Sequence, residues 1–219
     1  MKINTDGALL GALSGAGNLK NVLDIGSGTG VVALMLAQRF PDARVDAVEI
    51  EKQAAERSAI NFQNSPFSER LSLYPESFQA FSEKHPGKKY DLIVSNPPFF
   101  LHSLKNPDKG KQTARHTDNI FFEDLIRFGY NHLNPSGSFS LILPQATAEL
   151  CEVLATKQGL HVQQLIHVSS FKDSVPHRVL ISLGFEKTSL TEEEFVIYSL
   201  HREYSGQFVN VLKEFFTIF

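Results

Sequence analysis

A short apolar segment followed by a glycine-rich turn and an amphipathic segment constrains this chain's fold more than any other feature. Residues Asn21 to Ile25 form an apolar run typical of a buried strand, Gly26 to Gly30 (GSGTG) follow, and Thr29 to Phe40 have the periodicity of a helix. Glycines let the backbone come close to a ligand, and a helix N-terminus offers backbone N–H groups without partners. The sequence therefore predicts a ligand-binding strand–turn–helix unit.

Short apolar segments and amphipathic segments continue to alternate along most of the chain. This alternation predicts a mostly parallel sheet covered by helices on both faces, which is a three-layer Rossmann-like α/β fold. The further strands that we predict are Arg44 to Ile50, Leu71 to Tyr74, Tyr90 to Ser95 and Ser138 to Leu143. The further helices that we predict are Glu51 to Asn64, Phe78 to Lys84, Phe121 to Leu133, Ala146 to Lys157 and Phe208 to Phe216.

The second half of the chain departs from this alternation. His161 to Val168 and Arg178 to Phe185 have the pattern of strands with no helix-length segment between them, so we expect them to pair antiparallel. Glu194 to Leu200 is a candidate for a further edge strand, Asn134 to Gly137 for a turn, and the polar residues Phe100 to Asn119 for a long loop. Because there is no repeat or linker, we expect all 219 residues to form one domain.

The spacing of the glycines excludes a dinucleotide-binding turn. That motif, G-x-G-x-x-G, requires glycine at the position that Val31 occupies. The turn instead resembles the D/E-x-G-x-G-x-G turn of class I methyltransferases, with Asp24 as its acidic residue. The resemblance implies S-adenosylmethionine as the ligand, S-adenosylhomocysteine as the product, and a position near the methionine end for Asp24.

Residues that follow the second and third predicted strands have the character of cofactor contacts. Glu49 ends the second strand, where a carboxylate can accept hydrogen bonds from both ribose hydroxyls. Ile50 would then pack on the adenine ring. By the same resemblance, Glu76, Ser77 and Phe78 follow the third strand at the place where such enzymes contact the adenine edge.

The motif Asn96-Pro97-Pro98-Phe99 comes directly after the fourth apolar strand. The two prolines stiffen the chain and remove backbone donors while their carbonyl oxygens remain acceptors. The Asn96 amide oxygen and the Pro97 carbonyl oxygen can each accept one hydrogen of a planar NH2 group, whose lone pair is then directed at a methyl donor. Phe99 offers a face on which a flat substrate stacks. The motif therefore predicts methylation of a conjugated amino group.

The chain has a net charge of −3, so it can attract a nucleic acid only through local patches of basic residues. The predicted loop beside the Asn-Pro-Pro-Phe motif contains such a patch, with few acidic residues. Phosphate contacts are the function that its charge favours. The residues that we predict to contact RNA are Lys105, Lys109, Lys111, Arg115 and His116.

Taken together, the motifs resemble the class I methyltransferases that modify adenine N6, glutamine N5 or guanine N2 and share an [N/D/S]-P-P-[Y/F] motif. Within that group the chain is similar to the bacterial tRNA1(Val) adenine-37 N6-methyltransferase family. Thr5 to Leu10 (TDGALL), Val22 to Gly30, Tyr90 to Phe100 and Ala114 to His116 (ARH) carry the similarity. It implies a seven-stranded sheet with a reversed last strand, a tRNA substrate, no metal, and a Thr5 to Gly7 segment that lies over the cofactor.

The resemblance and the strand ends together assign a set of residues to the site. The residues that we predict to hold the acceptor are Asn96, Pro97, Pro98 and Phe99. The residues that we predict to bind the cofactor are Thr5, Asp6, Gly7, Asp24, Gly26, Ser27, Gly28, Gly30, Glu49, Ile50, Glu76, Ser77, Phe78 and Asn96. The family also carries an N-terminal segment with aromatic residues that helps to close the site, and we expect this chain to lack it.

Three alternative functions stay open on the sequence alone. Guanine N2-methylation of ribosomal RNA and glutamine N5-methylation of a protein use the same Asn-Pro-Pro chemistry, and a non-catalytic cofactor-binding or RNA-binding module would retain both motifs. The sequence has no apolar run of membrane-spanning length and only one cysteine, Cys151, in a predicted helix, and we expect no signal peptide because no apolar segment follows a basic one at its start. We therefore expect a cytoplasmic, monomeric enzyme with no metal and no membrane partner.

Overall fold

The structure is a computed structural model that describes residues 4–98 and 111–217, and within 111–118 it describes the backbone alone. The helices are α1 (Thr5–Leu13), α2 (Val31–Arg39), α3 (Lys52–Gln63), α4 (Phe78–Lys84), α5 (Lys111–His132), α6 (Gln145–Gln158) and α7 (Gly206–Leu212). The strands are β1 (Asn21–Ile25), β2 (Arg44–Val48), β3 (Leu71–Tyr74), β4 (Tyr90–Ser95), β5 (Leu133–Leu143), β6 (His161–Ser169), β7 (Arg178–Gly184), β8 (Thr191–Val196), β9 (Tyr198–Leu200) and β10 (Glu203–Tyr204).

Eight strands form one sheet in the order β3-β2-β1-β4-β5-β7-β6-β8. Strands β1 to β5 run parallel, whereas β7 lies antiparallel between β5 and β6. The expected antiparallel pairing of the two strands after α6 is therefore confirmed. The sheet has one strand more than expected, because β8 pairs parallel to β6 at the edge, where the sequence suggested an additional strand.

The alternation of side chains along the strands divides the core into two layers. Val22, Leu92 and Ile142 face α1, α2 and α7 on one side of the sheet. Their neighbours Leu23 and Ile93 face α4, α5 and α6 on the other side. Because successive strand residues point to opposite faces, both faces of these continuous apolar strands are buried under helices.

The structure differs from the sequence prediction in several segments. α7 ends at Leu212 rather than Phe216, β2 ends at Val48 rather than Ile50, and the predicted strand Glu194 to Leu200 is divided between β8 and β9. Three further differences are larger. α5 begins at Lys111, so the prediction of a loop over Phe100 to Asn119 is wrong for its last nine residues. β5 begins at Leu133 and includes the predicted turn Asn134 to Gly137, where the pairing with β4 shifts in register. A helix, α1, starts at Thr5, although its sequence has no 3.6-residue periodicity.

The placement of the single cysteine in a helix agrees with the prediction. The single cysteine, Cys151, is buried inside α6. Burial raises the pKa of its thiol to about 12, so it is an unreactive core group at neutral pH. Among the described residues, no helix combines the length and the apolar character that crossing a bilayer demands.

Candidate functional site

The carboxyl ends of β1, β2, β3 and β4 lie along one edge of the sheet. The chain proceeds outward from β1 to β3 and then returns to β4 on the other side of β1, so β1 and β4 flank a switch in strand order. A crevice forms at such a switch point in open α/β sheets. The Ser95 hydroxyl donates to the Ile25 carbonyl oxygen at 2.9 Å, which keeps the ends of β1 and β4 side by side.

The glycine turn after β1 has a conformation that its sequence requires. Gly26, Gly28 and Gly30 have φ angles of 71°, 58° and 83°, in the left-handed region where a side chain is unfavourable. The Gly26 and Ser27 N–H groups donate to the Val48 carbonyl oxygen at 2.8 and 3.1 Å. The turn is thereby fixed to the end of β2, and Gly30 forms the N-cap of α2.

Glu49 follows β2 and connects the glycine turn to α3. Its buried carboxylate accepts the Gly28 N–H on Oε2 and the Glu51 N–H on Oε1, both at 2.7 Å. Each carboxylate oxygen has a further lone pair, so this group can accept two more hydrogen bonds from a ligand. Glu49 also lines two adjoining cavities of the site.

A pocket of about 60 Å³ lies between the glycine turn and the start of α1. Asp24 and Ser27 are both buried in its wall. Burial, together with the charge of Glu49, raises the pKa of Asp24 to about 7, although the Ala33 N–H donates to its Oδ2 at 3.1 Å. The Ser27 hydroxyl has no hydrogen-bond partner among the described residues. A buried carboxyl group and an unpaired buried hydroxyl fit a polar, cationic ligand.

A wider cleft of about 600 Å³ adjoins this pocket, and both are lined by Asn4, Gly26 and Asn96. Pro97 and Pro98 form the part of its wall that follows β4. Asn96 approaches Asn4, with its Nδ2 3.4 Å from the Asn4 Oδ1. Asn96, the first of the predicted acceptor-holding residues, therefore lies where the small pocket and the wide cleft meet.

The far wall of the cleft contains both apolar and polar side chains. Ile50 is 73% exposed beside Glu49, and Phe78 packs edge-to-face on Phe121, with ring centroids 5.8 Å apart. An exposed isoleucine in a cleft presents an apolar face on which a flat ring can pack. Glu76 and Ser77 also line this wall, but Glu76 forms an ion pair with Lys84 and the Ser77 hydroxyl accepts the Ala80 N–H to cap α4.

Some predicted residues lie elsewhere or outside the described residues. Thr5 is exposed at the start of α1, and Asp6 forms an ion pair with Arg178. Gly7 does line the small pocket. The residues that lie outside the described residues, or whose side chains do, are Phe99, Lys105, Lys109, Lys111, Arg115 and His116.

The structure adds residues that the sequence reasoning did not select. Asn4 lines both cavities and caps α1, since its Oδ1 accepts the Gly7 N–H at 2.8 Å. An asparagine before Thr-Asp-Gly is a recognisable N-cap signal. Gln79 and Phe121 line the cleft without any comparable signal. Among the described residues, no group of three or more histidine, cysteine or acidic side chains could hold a metal ion.

Comparison with known sequences shows the family to which this chain is related. Residues 5–159 match the model of the methyltransferase small domain. A relative from Pedobacter heparinus is 43% identical over 219 residues, covering all of this chain and 92% of its own length. Another from Bacteroides fragilis is 40% identical over 216 residues, covering 99% of this chain and 91% of its own length. Both relatives are named tRNA1(Val) (adenine(37)-N6)-methyltransferase.

Solved structures share the fold at low sequence identity. A predicted O-methyltransferase from Agrobacterium tumefaciens superposes with a TM-score of 0.71 at 21% identity, covering 96% of each chain. A ribosomal protein L11 methylase from Lactobacillus delbrueckii superposes with a TM-score of 0.57 at 17% identity, covering 83% of this chain and 78% of its own. The sheet order and the crevice between β1 and β4 are thus those of a Rossmann-like methyltransferase fold.

Proposed function

Because the chain belongs to the methyltransferase small domain family, we propose that it transfers a methyl group from S-adenosylmethionine to the N6 amino group of an adenine in tRNA. The observation that carries this proposal is the position of Asn96, between the small pocket beside Asp24 and the wide cleft beside Glu49. The names of the relatives from P. heparinus and B. fragilis support adenine 37 of a valine tRNA as the acceptor.

The residues at the site fit S-adenosylmethionine. Asp24 offers a carboxyl group to the positive charge of the methionine end, and the Ser27 hydroxyl offers an unused hydrogen-bonding group beside it. Glu49 has free lone pairs for the two ribose hydroxyls, and Ile50 has an exposed apolar face for the adenine ring. When bound, the cofactor supplies an electrophilic methyl group on a sulfonium.

The acceptor amine is held by the residues that follow β4. The Asn96 amide oxygen and the Pro97 carbonyl oxygen each accept one N–H of the adenine amino group. These two hydrogen bonds orient the nitrogen lone pair and strengthen as the nitrogen becomes positive during attack, so they stabilise the transition state more than the ground state. No strong base is needed before attack, because the proton leaves a nitrogen that is already cationic.

Several parts of the proposal rest on the sequence pattern alone. Phe99 would stack on the adenine, which must first be turned out of the folded RNA. Lys105, Lys109, Lys111, Arg115 and His116 would contact RNA phosphates. We also propose that the chain acts as a monomer with one domain, and a tRNA substrate would place it in the cytoplasm.

Methyl transfer from labelled cofactor to unmodified tRNA tests the proposal, with nucleoside analysis of the product. We expect N6-methyladenosine in the wild-type reaction. Asn96→Ala should lower the rate at least about 100-fold, because one of two transition-state acceptors is lost, while the affinity for the cofactor in calorimetry falls little. Asn64→Ala, an exposed asparagine at the end of α3, is the matched control and should keep full activity.

Other outcomes of the same assay support other functions. If the product is N2-methylguanosine, the acceptor is guanine rather than adenine. If a protein glutamine is labelled instead, the chain is a protein methyltransferase. Cofactor binding without any methyl transfer would indicate a non-catalytic module. An Asn96→Ala variant with wild-type activity would contradict the role of Asn96 whichever acceptor is found.

A further inference from the structure

An ion pair joins the first turn of α1 to the start of β7. Arg178 Nε donates to the Asp6 Oδ2 at 2.8 Å, and the two side chains are only 25% and 15% exposed. We propose that this pair holds the N-terminal turn of α1 over the cofactor pocket, so that Arg178 is a positioning residue for cofactor binding. The inference rests on the proposed function, since it takes the pocket beside Asp24 to be the cofactor site.

The reversal of β7 is what makes this contact possible. Because β7 runs antiparallel to β5, its first residue, Arg178, lies at the edge where the parallel strands end. A parallel strand in that position would begin at the opposite edge of the sheet, far from the site. The direction of β7 thereby brings a cation to α1 from 172 residues further along the chain.

The turn that Arg178 holds forms part of the candidate site. Asn4, Gly7 and Ala8 line the small pocket with Asp24 and Ser27. Asn4 also reaches Asn96, since the Asn4 Oδ1 and the Asn96 Nδ2 lie 3.4 Å apart. A displacement of this turn therefore changes the wall of the cofactor pocket. It also moves Asn4 relative to Asn96, the asparagine that we propose to hold the acceptor.

The helix itself provides little stability for this turn. α1 has nine residues, and two of them, Gly7 and Gly11, are glycines inside the helix, where glycine disfavours helix formation relative to alanine. A side chain at Gly7 is not tolerated freely, because its Cβ would lie 3.0 Å from the Asn4 Oδ1 that caps the helix. The turn therefore depends on contacts with the rest of the protein, as short helices generally do.

Loss of Arg178 leaves the mostly buried Asp6 carboxylate without this cation. An anion in that position gains free energy by moving into water, and it can do so only if the first turn of α1 moves with it. The expected damage is therefore local to residues 4–8, whereas the two buried cores and the sheet remain intact. A merely stabilising ion pair would instead change the unfolding free energy and leave ligand affinity unchanged.

The test measures binding of S-adenosylmethionine by calorimetry to the full chain at a temperature well below its melting point. We expect Arg178→Met to weaken binding roughly tenfold, Arg178→Lys to recover part of that loss, and Asp6→Asn to weaken binding by a similar factor. The double variant should bind S-adenosylmethionine no more weakly than the weaker-binding single variant. The effects of two substitutions do not add when both remove the same interaction. Lys20→Met is the control, because it removes a cation from an exposed 2.8 Å ion pair with Asp42 on another part of the surface.

Amide hydrogen exchange provides a readout that does not depend on the ligand. In Arg178→Met the amides of residues 7–10 should exchange faster, while amides in β1 and β4 keep their wild-type rates. Wild-type affinity in Arg178→Met, additive effects of the two single variants, or faster exchange spread over the whole sheet would each overturn the positioning role.

If the wild-type chain binds no S-adenosylmethionine, both the proposed function and this inference fail. If it binds the cofactor but does not methylate tRNA, only the acceptor assignment fails.

Discussion

The Glu49 carboxylate connects two backbone segments before it contacts any ligand. It accepts N–H groups from the glycine turn at Gly28 and from the start of α3 at Glu51. A glutamine at this position has one acceptor oxygen and an NH2 group, so it can accept only one of these N–H groups without rearrangement. The negative charge that we propose to attract the ribose hydroxyls is lost as well. Both effects act on the same ligand-binding surface.

We therefore predict that Glu49→Gln weakens S-adenosylmethionine binding by roughly 30-fold to 100-fold, about 2–3 kcal/mol, because hydrogen bonds to a charged acceptor are replaced by a neutral one and a donor is left unpaired. Calorimetric titration of the purified chain measures this change. Glu69→Gln, at an exposed position in the 3₁₀ turn Ser68–Arg70, is the matched control. An unchanged dissociation constant for Glu49→Gln would rule out the ribose contact.

The individual site residues differ in how far the sequence could predict them. Glu49, Asp24 and Asn96 follow from local rules, because each has a characteristic residue type at the end of a predicted strand. Asp6 belongs to a recognisable segment, but its ion pair with Arg178 depends on how distant strands are arranged. No local pattern connects two residues that are 172 positions apart. Contacts of this kind are visible only in the folded chain.

Among the elements, α2 begins at a position where the backbone requires glycine. Gly30 has a φ of 83°, and a Cβ at this position would lie 2.5 Å from both the Ser58 hydroxyl and the Phe62 ring of α3. Such distances are far inside van der Waals contact, and both neighbours are buried. An added methyl group must therefore displace α3 or distort the turn, in addition to the cost of a left-handed conformation.

We predict that Gly30→Ala lowers the free energy of unfolding by about 2–4 kcal/mol, as measured by urea denaturation of the ligand-free chain. Gly17→Ala is a matched control, because Gly17 has a similar φ of 74° but no atom within 4 Å of an added Cβ. It should show only the conformational cost of about 1 kcal/mol. Equal losses for the two variants would mean that packing between α2 and α3 does not limit position 30.

The helices and strands that the sequence predicts well are those with clear local signals. β1, β3, α4 and β4 begin and end at the predicted residues, since each is an apolar or amphipathic segment bounded by turn-forming residues. α1 was missed because it is buried on nearly all sides and contains two glycines, so tertiary packing rather than periodicity forms it. The early start of α5 does not follow from the sequence pattern because Lys111 to Asn119 is polar, although the segment lacks glycine and proline and contains four good helix formers, Lys111, Gln112, Ala114 and Arg115.

At the scale of the whole molecule, one edge of the sheet gathers residues from position 4 to position 178. The parallel strands β1 to β4 bring the glycine turn, Glu49 and Asn96 to this edge, which their alternation with helices predicts. The site also contains a destabilising group, because folding transfers Asp24 from water into the protein. The pH dependence of unfolding should reveal the cost of this burial for the whole fold.

Burial and the neighbouring charge of Glu49 raise the pKa of Asp24 from 3.8 to about 7 in the folded chain. The folded state therefore keeps a proton that the unfolded state has already released between these two values, and stability falls as pH rises through this window. His132 and His177 change stability in the opposite sense below pH 6.5, because burial lowers the pKa of each ring. A comparison with Asp24→Asn removes the histidine contribution, since both chains contain the same histidines.

We predict that Asp24→Asn gains stability relative to the wild-type chain by roughly 1.4 kcal/mol for each pH unit between pH 5 and 6, that this slope falls by about half near pH 7, and that the difference becomes constant above pH 8. The buried NH2 group of asparagine lowers the stability of this variant by an amount that does not depend on pH. Urea denaturation of the ligand-free chains at each pH measures the difference. Asp91→Asn is the control, and its difference should be flat over this range. Burial alone would raise the pKa of Asp91, but hydrogen bonds from the Asn21 and Lys20 N–H groups and the Asn134 amide hold it below its ordinary value, so Asp91 stays ionised in both the folded and the unfolded chain. A flat difference for Asp24→Asn too would show that Asp24 is already ionised at pH 5. The same substitution should weaken S-adenosylmethionine binding at pH 8, because it removes from the wall of the small pocket the carboxylate that we propose to attract the cationic ligand. Asp24 would then be a group that destabilises the ligand-free fold and is retained for binding.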